Sequence, residues 1–431
     1  MESTLPYPKT YHTTRAWIVT LTASLFFFYA FIQLNFFNSI AIPLMEDFGV
    51  DAIEVGQLSS MYFYANAIFL FPAGMLLDRF STKKLLIASI FISTLGTFVF
   101  GYAHSFGIAA VGRFLVGTGA AFCFLACIRI ASRWFPPQRM ALVTGLIVVM
   151  AMLGGLVAQT PFALLVQALG NWREAVFIDG ILGVVILIAI ALVVVDRPPD
   201  AHEEAHLDMQ RLKNLGLWKC IQLSAMNPQN WLGGIYTSLM NLPVFLLGAL
   251  WGMHYLVEVR NISLVQASYA TTFFFVGVMA GSPAFGWFSD RIGLRILPMR
   301  IGAVLSLIVI FILMYAPNLA LPTVVFLFFL IGFVTSCQVL SYPAIAELNP
   351  SYLTSTAVSI DSVCIMVGGF IFQPAFGWLM KSRGAHEVQN GVIHYTALDF
   401  NFAMLILPVA FTLALLATFF MRETYCKSQA S

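Results

Sequence analysis

The sequence has 431 residues, of which 60% are hydrophobic and only 10% are charged, whereas soluble domains contain roughly 25% charged residues. The formal net charge of +2 is small and indicates little by itself, so the distribution of charge carries more information. This composition excludes an ordinary soluble domain and is typical of a protein embedded in a lipid bilayer.

Apolar runs of about 20 residues can cross the hydrocarbon core of a membrane as helices. The first run follows a polar start that ends at Arg15, and it is too long for the core of a signal peptide, so it is predicted to be an uncleaved anchor. We number twelve such runs helix 1 to helix 12: 17–41, 54–77, 84–103, 108–131, 140–168, 173–195, 230–255, 267–288, 298–316, 320–343, 354–380 and 399–421. The predicted fold class is an all-α integral membrane protein with twelve transmembrane helices.

The distribution of lysine and arginine predicts the orientation of these helices. Twelve crossings place both termini on one side of the membrane. If that side is the cytoplasm, sixteen of the 22 basic residues lie there, and only Arg173, Arg260, Lys381 and Arg383 lie outside. Basic residues accumulate in cytoplasmic loops, so the sequence predicts a multi-pass protein of the cell inner membrane with cytoplasmic termini.

One long polar stretch divides the chain into halves. The predicted domains are an N-terminal six-helix bundle at 1–195, a cytoplasmic linker at 196–228 and a C-terminal six-helix bundle at 229–431. The second part of the linker, 207–226, interleaves Leu, Met and Trp with Arg and Lys, which is typical of an amphipathic helix on a membrane surface. An inert connector and a regulatory element are equally compatible with it.

Two motifs occur once in each half. GMLLDRFSTKK begins at Gly74, and GWFSDRIGLR begins at Gly286, 212 positions later. GGLVAQTP begins at Gly154, and GGFIFQP begins at Gly368, 214 positions later. Two matched pairs at almost the same offset indicate that the chain is a duplicated half.

The first motif closes an apolar run in both copies and is interpreted as a polar hinge between two helices. Its glycine would allow a close helix approach, while its charged groups would bond helix ends or lipid phosphate. The motif resembles the loops between helices 2 and 3 and between helices 8 and 9 of the major facilitator superfamily, although Ser81 stands where the family usually has the glycine kept at Gly293. The resemblance predicts gating or conformational roles for Gly74, Asp78, Arg79, Lys83, Gly286, Asp290 and Arg291.

The resemblance implies two six-helix bundles around a cavity at the membrane midplane and transport by alternating access. Helices 1, 4, 7 and 10 would line the cavity, and helices 2, 5, 8 and 11 would form the seam between the halves. The matched motifs are found in both halves, so the resemblance covers nearly the whole chain.

Helix 4 carries two arginines at membrane depth. Arg113 and Arg129 are sixteen positions apart, about 24 Å along a helix axis. With Trp134 twenty-one positions after Arg113, this helix resembles that of organic-anion and phosphate-ester carriers of the superfamily. Certain organic-anion carriers have a proton-coupling glutamate where this chain has Ala120. Substrate contact and a structural role are both open for each arginine.

Polar and aromatic side chains in the other cavity-lining helices suit a small polar or zwitterionic ligand. Pro243 is predicted to break helix 7 and free its carbonyls, whereas Trp251, His254 and Tyr255 are interpreted as interfacial anchors. The predicted substrate-binding residues besides the two arginines are Tyr29, Gln33, Asn38, Asn241, Gln338 and Tyr342.

Acidic residues are scarce within the predicted helices. Asp361, about seven residues into helix 11, is predicted to form a gate with Arg79 or Lys83 that locks the outward-facing state, with proton binding as the second interpretation. Asp179 in helix 6 is predicted to tie helix ends together.

No catalytic, nucleotide-binding or metal-binding motif is present, so an enzyme, an ATP-driven pump and a cofactor are not predicted.

The predicted function is a secondary transporter that takes up a small polar, anionic or zwitterionic metabolite: an amino acid, a peptide or an organic acid. The chain resembles nutrient and organic-anion uptake members of the superfamily. Efflux of drugs or a siderophore, and siderophore uptake, are the alternatives. Expected partners are the substrate, the lipid bilayer and a coupling proton or other ion; nucleic acid is not expected, and a monomer suffices.

Overall fold

The computed structural model describes residues 13–135, 140–196, 217–349, 354–385, 387–389 and 392–426. Within these residues, eleven helices are long and apolar enough to cross a membrane. Helix 2, Ala52–Arg79, has 28 residues and sufficient length as well, but it includes polar residues such as Ser59 and Asn66. The all-helical membrane class is therefore confirmed for the bundle, and the count of twelve spans stays a prediction.

Of the twelve helices numbered from the sequence, six are continuous and six are interrupted within the described residues. The continuous helices are helix 2 at Ala52–Arg79, helix 3 at Thr82–Gly101, helix 6 at Trp172–Val193, helix 8 at Leu264–Ile292, helix 9 at Ile296–Tyr315 and helix 11 at Thr354–Arg383. Those interrupted once are helix 1 at Thr13–Asn35 and Phe37–Phe48, helix 4 at Phe106–Ala120 and Cys123–Trp134, helix 5 at Met140–Val157 and Thr160–Leu169, and helix 12 at Ala397–Met404 and Ile406–Phe420. Helix 7 comprises Pro228–Met240, the π-helical turn Val244–Gly248 and Gly252–Arg260, and helix 10 comprises Leu321–Thr335, the 3-10 turn Ser336–Leu340 and Ser341–Leu348. All four predicted cavity-lining helices are thus interrupted.

Two further elements lie outside the bundle. Helix Leu217–Met226 falls within the predicted amphipathic stretch, while residues 197–216 lie outside the described part of the chain. A two-stranded antiparallel hairpin pairs Glu387–Gln389 with Val392–His394 in the loop between helices 11 and 12. The all-α prediction did not include this hairpin. Its strands contain β-branched residues and flank an Asn-Gly sequence, which favours a two-residue hairpin turn.

The helix ends meet in two groups at opposite ends of the bundle. One group is joined by the ion pairs Arg173–Asp47 at 2.7 Å and Lys381–Asp51 at 2.6 Å, and it includes the ends that charge predicts to be outside; we call it the outer end. The other group includes Asp196 and Arg295, and we call it the inner end. The ion pair of Lys381 with Asp51 connects the two halves at the outer end.

The inner end repeats one arrangement in both halves. Asp196, which follows helix 6, accepts a hydrogen bond from the backbone N–H of Lys83 at the start of helix 3, at 2.6 Å. Glu423, which follows helix 12, accepts hydrogen bonds from the backbone N–H groups of Arg295 and Ile296 at the start of helix 9, at 2.7 and 2.9 Å. In each half, a carboxylate after the last helix therefore caps the N-terminus of the third helix, where negative charge is stabilising.

The hinges themselves differ between the halves. Helix 8 ends at Gly293 with φ of 68°, a left-handed conformation that favours glycine. Helix 2 instead ends at Phe80 in an extended conformation, and the Ser81 hydroxyl accepts a hydrogen bond from the Lys84 N–H as the N-cap of helix 3. This change of helix terminus explains why the first copy has a serine where the second has a glycine.

The hinge glycines do not mark close helix contacts here. A Cβ added to Gly74 or Gly286 would meet no atom within 4 Å. The close approach expected at these two glycines is therefore wrong for this conformation, in which the backbone beside each of them is open. Their conformational role stays a prediction.

Close approach occurs instead at glycines deeper in the bundle. A Cβ on Gly117 of helix 4 would lie 2.2 Å from the carbonyl oxygen of Tyr62 in helix 2. A Cβ on Gly332 of helix 10 would lie 2.1 Å from the carbonyl oxygen of Phe274 in helix 8. Gly117 and Gly332 are aligned by the internal repeat, so both halves have the same helix crossing.

We expect Gly117→Ala to lower the free energy of unfolding by about 1–3 kcal/mol, because the added methyl group must displace backbone rather than a flexible side chain. Thermal unfolding of the purified protein measures this change. Gly145→Ala in helix 5 is the matched control, since its Cβ would meet nothing within 4 Å. Equal melting temperatures for Gly117→Ala and the parent protein would contradict the crossing.

Candidate functional site

Arg113 lies completely buried within the N-terminal half. Its Nη1 donates a hydrogen bond to the backbone carbonyl of Gln33 at 2.9 Å. The guanidinium carbon lies 4.5 Å from the ring centre of Phe37 and 5.5 Å from that of Tyr62, within range of cation–π attraction. Its Nε and Nη2 atoms have no hydrogen-bond partner among the described residues. Arg113 is thus a buried cation, and its Nε and Nη2 atoms are available as hydrogen-bond donors.

Gln33 connects Arg113 to an acidic residue. Its side-chain Nε2 donates a hydrogen bond to the Asp179 carboxylate, and Asp179 is buried in helix 6. Tyr29, one turn before Gln33, shares a hydrogen bond with Thr97 at 2.9 Å. We call Tyr29, Gln33, Thr97, Arg113 and Asp179 the N-terminal polar cluster.

The position of Asp179 corrects a prediction. It does not tie helix ends together, because its described partner is the side chain of Gln33 in the interior of the bundle. The available sequence signal was its place in helix 6, seven residues after the first residue, Trp172. A carboxylate that far from a helix end must find partners inside the protein.

A second cluster lies in the C-terminal half. Gln338 donates a hydrogen bond from Nε2 to Oδ1 of Asn241 at 2.8 Å. The Ser341 hydroxyl lies 3.4 Å from both carboxylate oxygens of Asp361 and also bonds Thr237. We call Thr237, Asn241, Gln338, Ser341 and Asp361 the C-terminal polar cluster. The structure therefore brings the predicted residues Asn241 and Gln338 near Asp361 through Ser341, which sequence reasoning missed.

Asp361 contacts side chains of its own half. A Cβ on Gly234 of helix 7 would approach the Asp361 backbone at 3.5 Å, and the side chains that hydrogen-bond the carboxylate include Thr237 of helix 7 and Ser341 of helix 10. The backbone N–H of Lys83 is bonded to Asp196, and the side chains of Asp78 and Arg79 lie outside the described part. The predicted gate concerns the outward-facing state and stays a prediction.

Three amide side chains converge on the break in helix 7, which we call the amide clamp. Asn38 of helix 1 donates from Nδ2 to the carbonyls of Leu247 and Gly248 at 2.8 and 3.0 Å. Gln159 of helix 5 donates to the carbonyl of Gly248 at 2.9 Å, and Gln373 of helix 11 donates to the carbonyl of Phe245 at 3.0 Å. The prediction that a break after Pro243 frees helix 7 carbonyls is confirmed.

Asn38 is saturated within this clamp. Its Oδ1 also accepts a hydrogen bond from the backbone N–H of Met253 at 2.9 Å, and its Nδ2 is 3.2 Å from Oε1 of Gln159. The predicted binder Asn38 is thus part of the contact between the halves in this conformation, and substrate contact stays a prediction.

The sequence contained a signal for the two glutamines of the clamp. Gln159 and Gln373 occupy equivalent places in the repeated motifs GGLVAQTP and GGFIFQP, yet the motif was interpreted only as evidence of duplication. Both side chains are fully buried. The repeat therefore supplies one amide from each half to the same interrupted helix.

The aromatic end of helix 7 is also buried. Trp251, His254 and Tyr255 have exposed fractions of 0%, 5% and 0%, and Trp251 stacks on Phe376 with ring centres 6.0 Å apart. The interpretation of these three residues as interfacial anchors is therefore wrong. They pack against protein, as Trp251 does against the rings of Phe376 and Phe400.

The remaining predicted residues lie toward the inner end. Arg129 is half-buried on the second segment of helix 4, and Tyr342 is half-buried on helix 10. Asp290 pairs with Arg295 at 2.6 Å, and the Arg291 guanidinium lies 5.5 Å from the ring centre of Trp287 on its own helix. Among the described residues, no group of three potential metal ligands occurs.

Arg295 organises the inner end of the C-terminal half. Its guanidinium pairs with Glu347 at 2.8 Å as well as with Asp290. Burial alone would lower the pKa of Arg295, but the hydrogen bonds with Glu347 and Asp290 outweigh that effect and raise the pKa. The residue therefore stays charged and acts as a fixed structural cation.

A bundle of membrane-spanning helices, with repeated crossings in its two halves, buried charged groups within each half and buried amide groups between the halves, is the architecture of a multi-pass membrane transporter. The chain belongs to the Major Facilitator Superfamily, whose family model matches residues 22–265 and 234–429. The expectation drawn from the hinge motif is thereby confirmed.

Two curated relatives are named as probable transporters of organic anions. The chain is 26% identical over 381 residues to the probable sulfoacetate transporter SauU of Cupriavidus necator, covering 84% of this chain and 87% of the relative. It is 22% identical to the probable galactarate/D-glucarate transporter GudP of Escherichia coli, covering 84% and 86%. Both similarities extend across the two halves.

A solved structure has the same fold. The crystal structure of a bacterial homologue of the human lysosomal transporter Spinster, in an inward-facing and unoccupied conformation, superimposes with a TM-score of 0.75. It is 16% identical and covers 99% of this chain and 100% of that one. At this identity the similarity shows the fold alone.

Proposed function

We propose that this protein is a secondary transporter that takes up a small organic anion across the bacterial inner membrane by alternating access. The observation that carries the proposal is Arg113, a fully buried cation at membrane depth whose guanidinium keeps two nitrogen atoms without a hydrogen-bond partner. A charged side chain in this position costs several kcal/mol and marks a functional site by default.

The chemistry of Arg113 suits a carboxylate or a sulfonate. A guanidinium presents parallel N–H donors that match two acidic oxygens at once. Its repeat counterpart in the C-terminal half is Phe328, so the anionic end of a substrate would face the N-terminal half. Phe37 and Tyr62 cover the cation here, and binding requires these rings to move aside.

The polar clusters suit the rest of such a ligand. Gln33 and Gln338 each have a buried side-chain carbonyl oxygen, Oε1, without a described partner. Each oxygen could accept a hydrogen bond from a hydroxyl group of the ligand. Sulfoacetate carries one carboxylate and one sulfonate, and galactarate carries two carboxylates and several hydroxyls. The names of the relatives and the side chains of this chain therefore support the same substrate class.

The contacts between the halves support alternating access. Asn38, Gln159 and the ion pair of Lys381 with Asp51 join the halves at the outer end. At the inner end, Asp196 and Glu423 each bond within their own half. This arrangement corresponds to a transporter closed toward the outside, and the second state would require the outer contacts to separate.

A thermal-shift screen of the purified protein tests the substrate class. We expect sulfoacetate, galactarate or D-glucarate at a hundredfold excess over its dissociation constant to stabilise the protein by about 2.7 kcal/mol. Amino acids and dipeptides test the zwitterionic alternative. Stabilisation by hydrophobic cations alone would contradict organic-anion uptake and favour drug efflux.

A further inference from the structure

Gln33 is hydrogen-bonded through both its backbone and its side chain within the N-terminal polar cluster. Its backbone carbonyl accepts the hydrogen bond from Arg113, and its side-chain Nε2 donates to the carboxylate of Asp179. Its side-chain oxygen, Oε1, is buried and has no partner among the described residues. One residue therefore holds the buried cation and at the same time leaves a hydrogen-bond acceptor unused.

Asp179 fixes the orientation of the Gln33 amide. Its carboxylate lies in the same cluster as the buried cation of Arg113, and a buried charge of one sign is tolerated where it is paired with the other. An ionised carboxylate accepts hydrogen bonds and donates none. The nitrogen of the Gln33 amide must therefore face Asp179, because the reverse orientation would place two acceptors against each other.

Tyr29 supports the same orientation. Thr97 donates its hydroxyl hydrogen to the backbone carbonyl of Ser93 at 3.0 Å, so the tyrosine is the donor in the 2.9 Å contact between the Tyr29 and Thr97 hydroxyls. The Tyr29 oxygen is then an acceptor, and it receives the Gln33 amide. Asp179 and Tyr29 thus accept from the two N–H groups of Gln33, whose Oε1 lies on the other side of the amide group.

Helix 6 accommodates this polar face of helix 1 in the interior of the bundle. Gly183, one turn after Asp179, lies where a Cβ would be 2.7 Å from the hydroxyl oxygen of Tyr29. Tyr29 and Gln33 are fully buried, and Asp179 is only 4% exposed. A buried polar atom without a partner is rare in folded proteins and calls for an explanation. A ligand that donates a hydrogen bond to Oε1 of Gln33 would supply the missing partner.

We propose that Asp179 is a positioning residue that holds Gln33 as a hydroxyl acceptor next to Arg113, and that the site thereby selects a 2-hydroxycarboxylic acid. The inference rests on the proposed function for organic anions and narrows its substrate class. The carboxylate of such an acid would accept from the free Nε and Nη2 of Arg113. The neighbouring hydroxyl group would donate to Oε1 of Gln33. Asp179 acts through the Gln33 amide and does not touch the substrate itself.

This selection distinguishes between the anions for which the relatives are named. Galactarate and D-glucarate have a hydroxyl group next to each carboxylate, whereas sulfoacetate has no hydroxyl group. The cation of Arg113 attracts all three anions, but a site built to bond a hydroxyl group rejects a ligand that lacks one, because the buried acceptor is left unpaired. The arrangement therefore favours a hydroxylated dicarboxylate over a sulfonate.

Two pairs of dicarboxylates that differ only in their hydroxyl groups test the selection: galactarate against adipate, and malate against succinate. Calorimetric titration of the purified full-length protein measures the dissociation constants. We expect the hydroxylated acid to bind about tenfold more tightly than its plain partner, the effect of roughly one hydrogen bond. Equal dissociation constants within each pair would overturn the proposal.

Asp179→Asn tests the positioning role. Asparagine can donate a hydrogen bond to Oε1 of Gln33 and so occupy the acceptor. The lost charge affects both acids of a pair alike, so the ratio of their dissociation constants is the readout, and we expect the tenfold preference to disappear. Asp179→Glu keeps a carboxylate and should keep the preference. Glu174→Gln is the matched control, since it removes an exposed carboxylate from the first turn of the same helix.

The outcomes separate this proposal from the proposed function. If neither these dicarboxylates nor sulfoacetate binds, organic-anion transport fails and the selection fails with it. If the acids bind but Asp179→Asn weakens both members of a pair equally, Asp179 has only a structural role and this proposal alone is overturned. Should Asp179→Asn not fold, Gln33→Met, which keeps the backbone carbonyl and removes the acceptor, must abolish the preference, and an unchanged ratio would refute the assignment.

Discussion

Replacing Arg113 by alanine is expected to weaken binding of an organic anion by at least about 100-fold. Hydrogen bonds to a charged group contribute about 1.5–3 kcal/mol each, and a guanidinium can form two to one acidic group. The unpartnered Nε and Nη2 of Arg113 are the donors available for them. Calorimetric titration of the purified variant with the best ligand from the thermal-shift screen measures the change in dissociation constant.

Two further variants show whether the affinity lost in Arg113→Ala comes from the guanidinium of Arg113. Arg113→Lys keeps the charge without the paired donors and should lose less affinity than Arg113→Ala. Arg133→Ala is the matched control on the same helix, because Arg133 lies at the inner end and pairs with Asp196 at 3.8 Å. An unchanged dissociation constant in folded Arg113→Ala would make Arg113 a structural residue held by Phe37 and Tyr62.

The helices and the duplication could be predicted from sequence because both depend on local properties. A bilayer requires long apolar runs whose backbone bonds internally, and hydropathy records those runs directly. The duplicated motifs are visible at fixed offsets, and the matching contacts of Gly117 and Gly332 show that the offsets correspond to equivalent helix crossings. The breaks in helices 1, 4, 5, 10 and 12 were missed because they alter hydrogen bonding without changing hydropathy.

The partners of buried polar groups could not be predicted, because each depends on which helix faces which. Asp179 was assigned to a helix end, yet the packing of helix 6 against helix 1 gives it the amide of Gln33. Ser341 is one of many serines, and only the meeting of helices 10 and 11 places it between Gln338 and Asp361. Sequence identified most of the polar residues in the clusters, and tertiary contacts decide their roles.

The amide clamp shows the same distinction for a contact between halves. Asn38 was predicted to bind substrate because helix 1 lines the cavity, and the break of helix 7 was predicted from Pro243. Neither pattern indicates that the freed carbonyls would satisfy the asparagine. In the structure, helix 1 contacts the broken part of helix 7, and both polar atoms of the Asn38 amide are hydrogen-bonded to helix 7 or to Gln159.

This saturation predicts that Asn38→Leu will open the outer end. Leucine has a similar size but leaves the Leu247 carbonyl and the Met253 N–H without their partner, whereas Gly248 still receives the Gln159 amide. Two lost buried hydrogen bonds cost about 2 kcal/mol or more. The outward-facing population should therefore rise roughly thirtyfold relative to the closed one.

A cysteine reporter measures this shift away from the mutated site. Ser268 of helix 8 is fully buried and bonds Thr160 of helix 5 at 3.0 Å, on the opposite side of the contact between the halves. Labelling of Ser268→Cys by a membrane-impermeant maleimide should be slow in the parent and much faster with Asn38→Leu, after subtraction of labelling at the native cysteines. Asn35→Leu is the matched control, because the Asn35 amide donates to the carbonyl of Phe31 in its own helix. Equal labelling rates in Asn38→Leu and Asn35→Leu would show that the clamp does not hold the halves together, because breaking its bonds to helix 7 would then leave the closed state as stable as before.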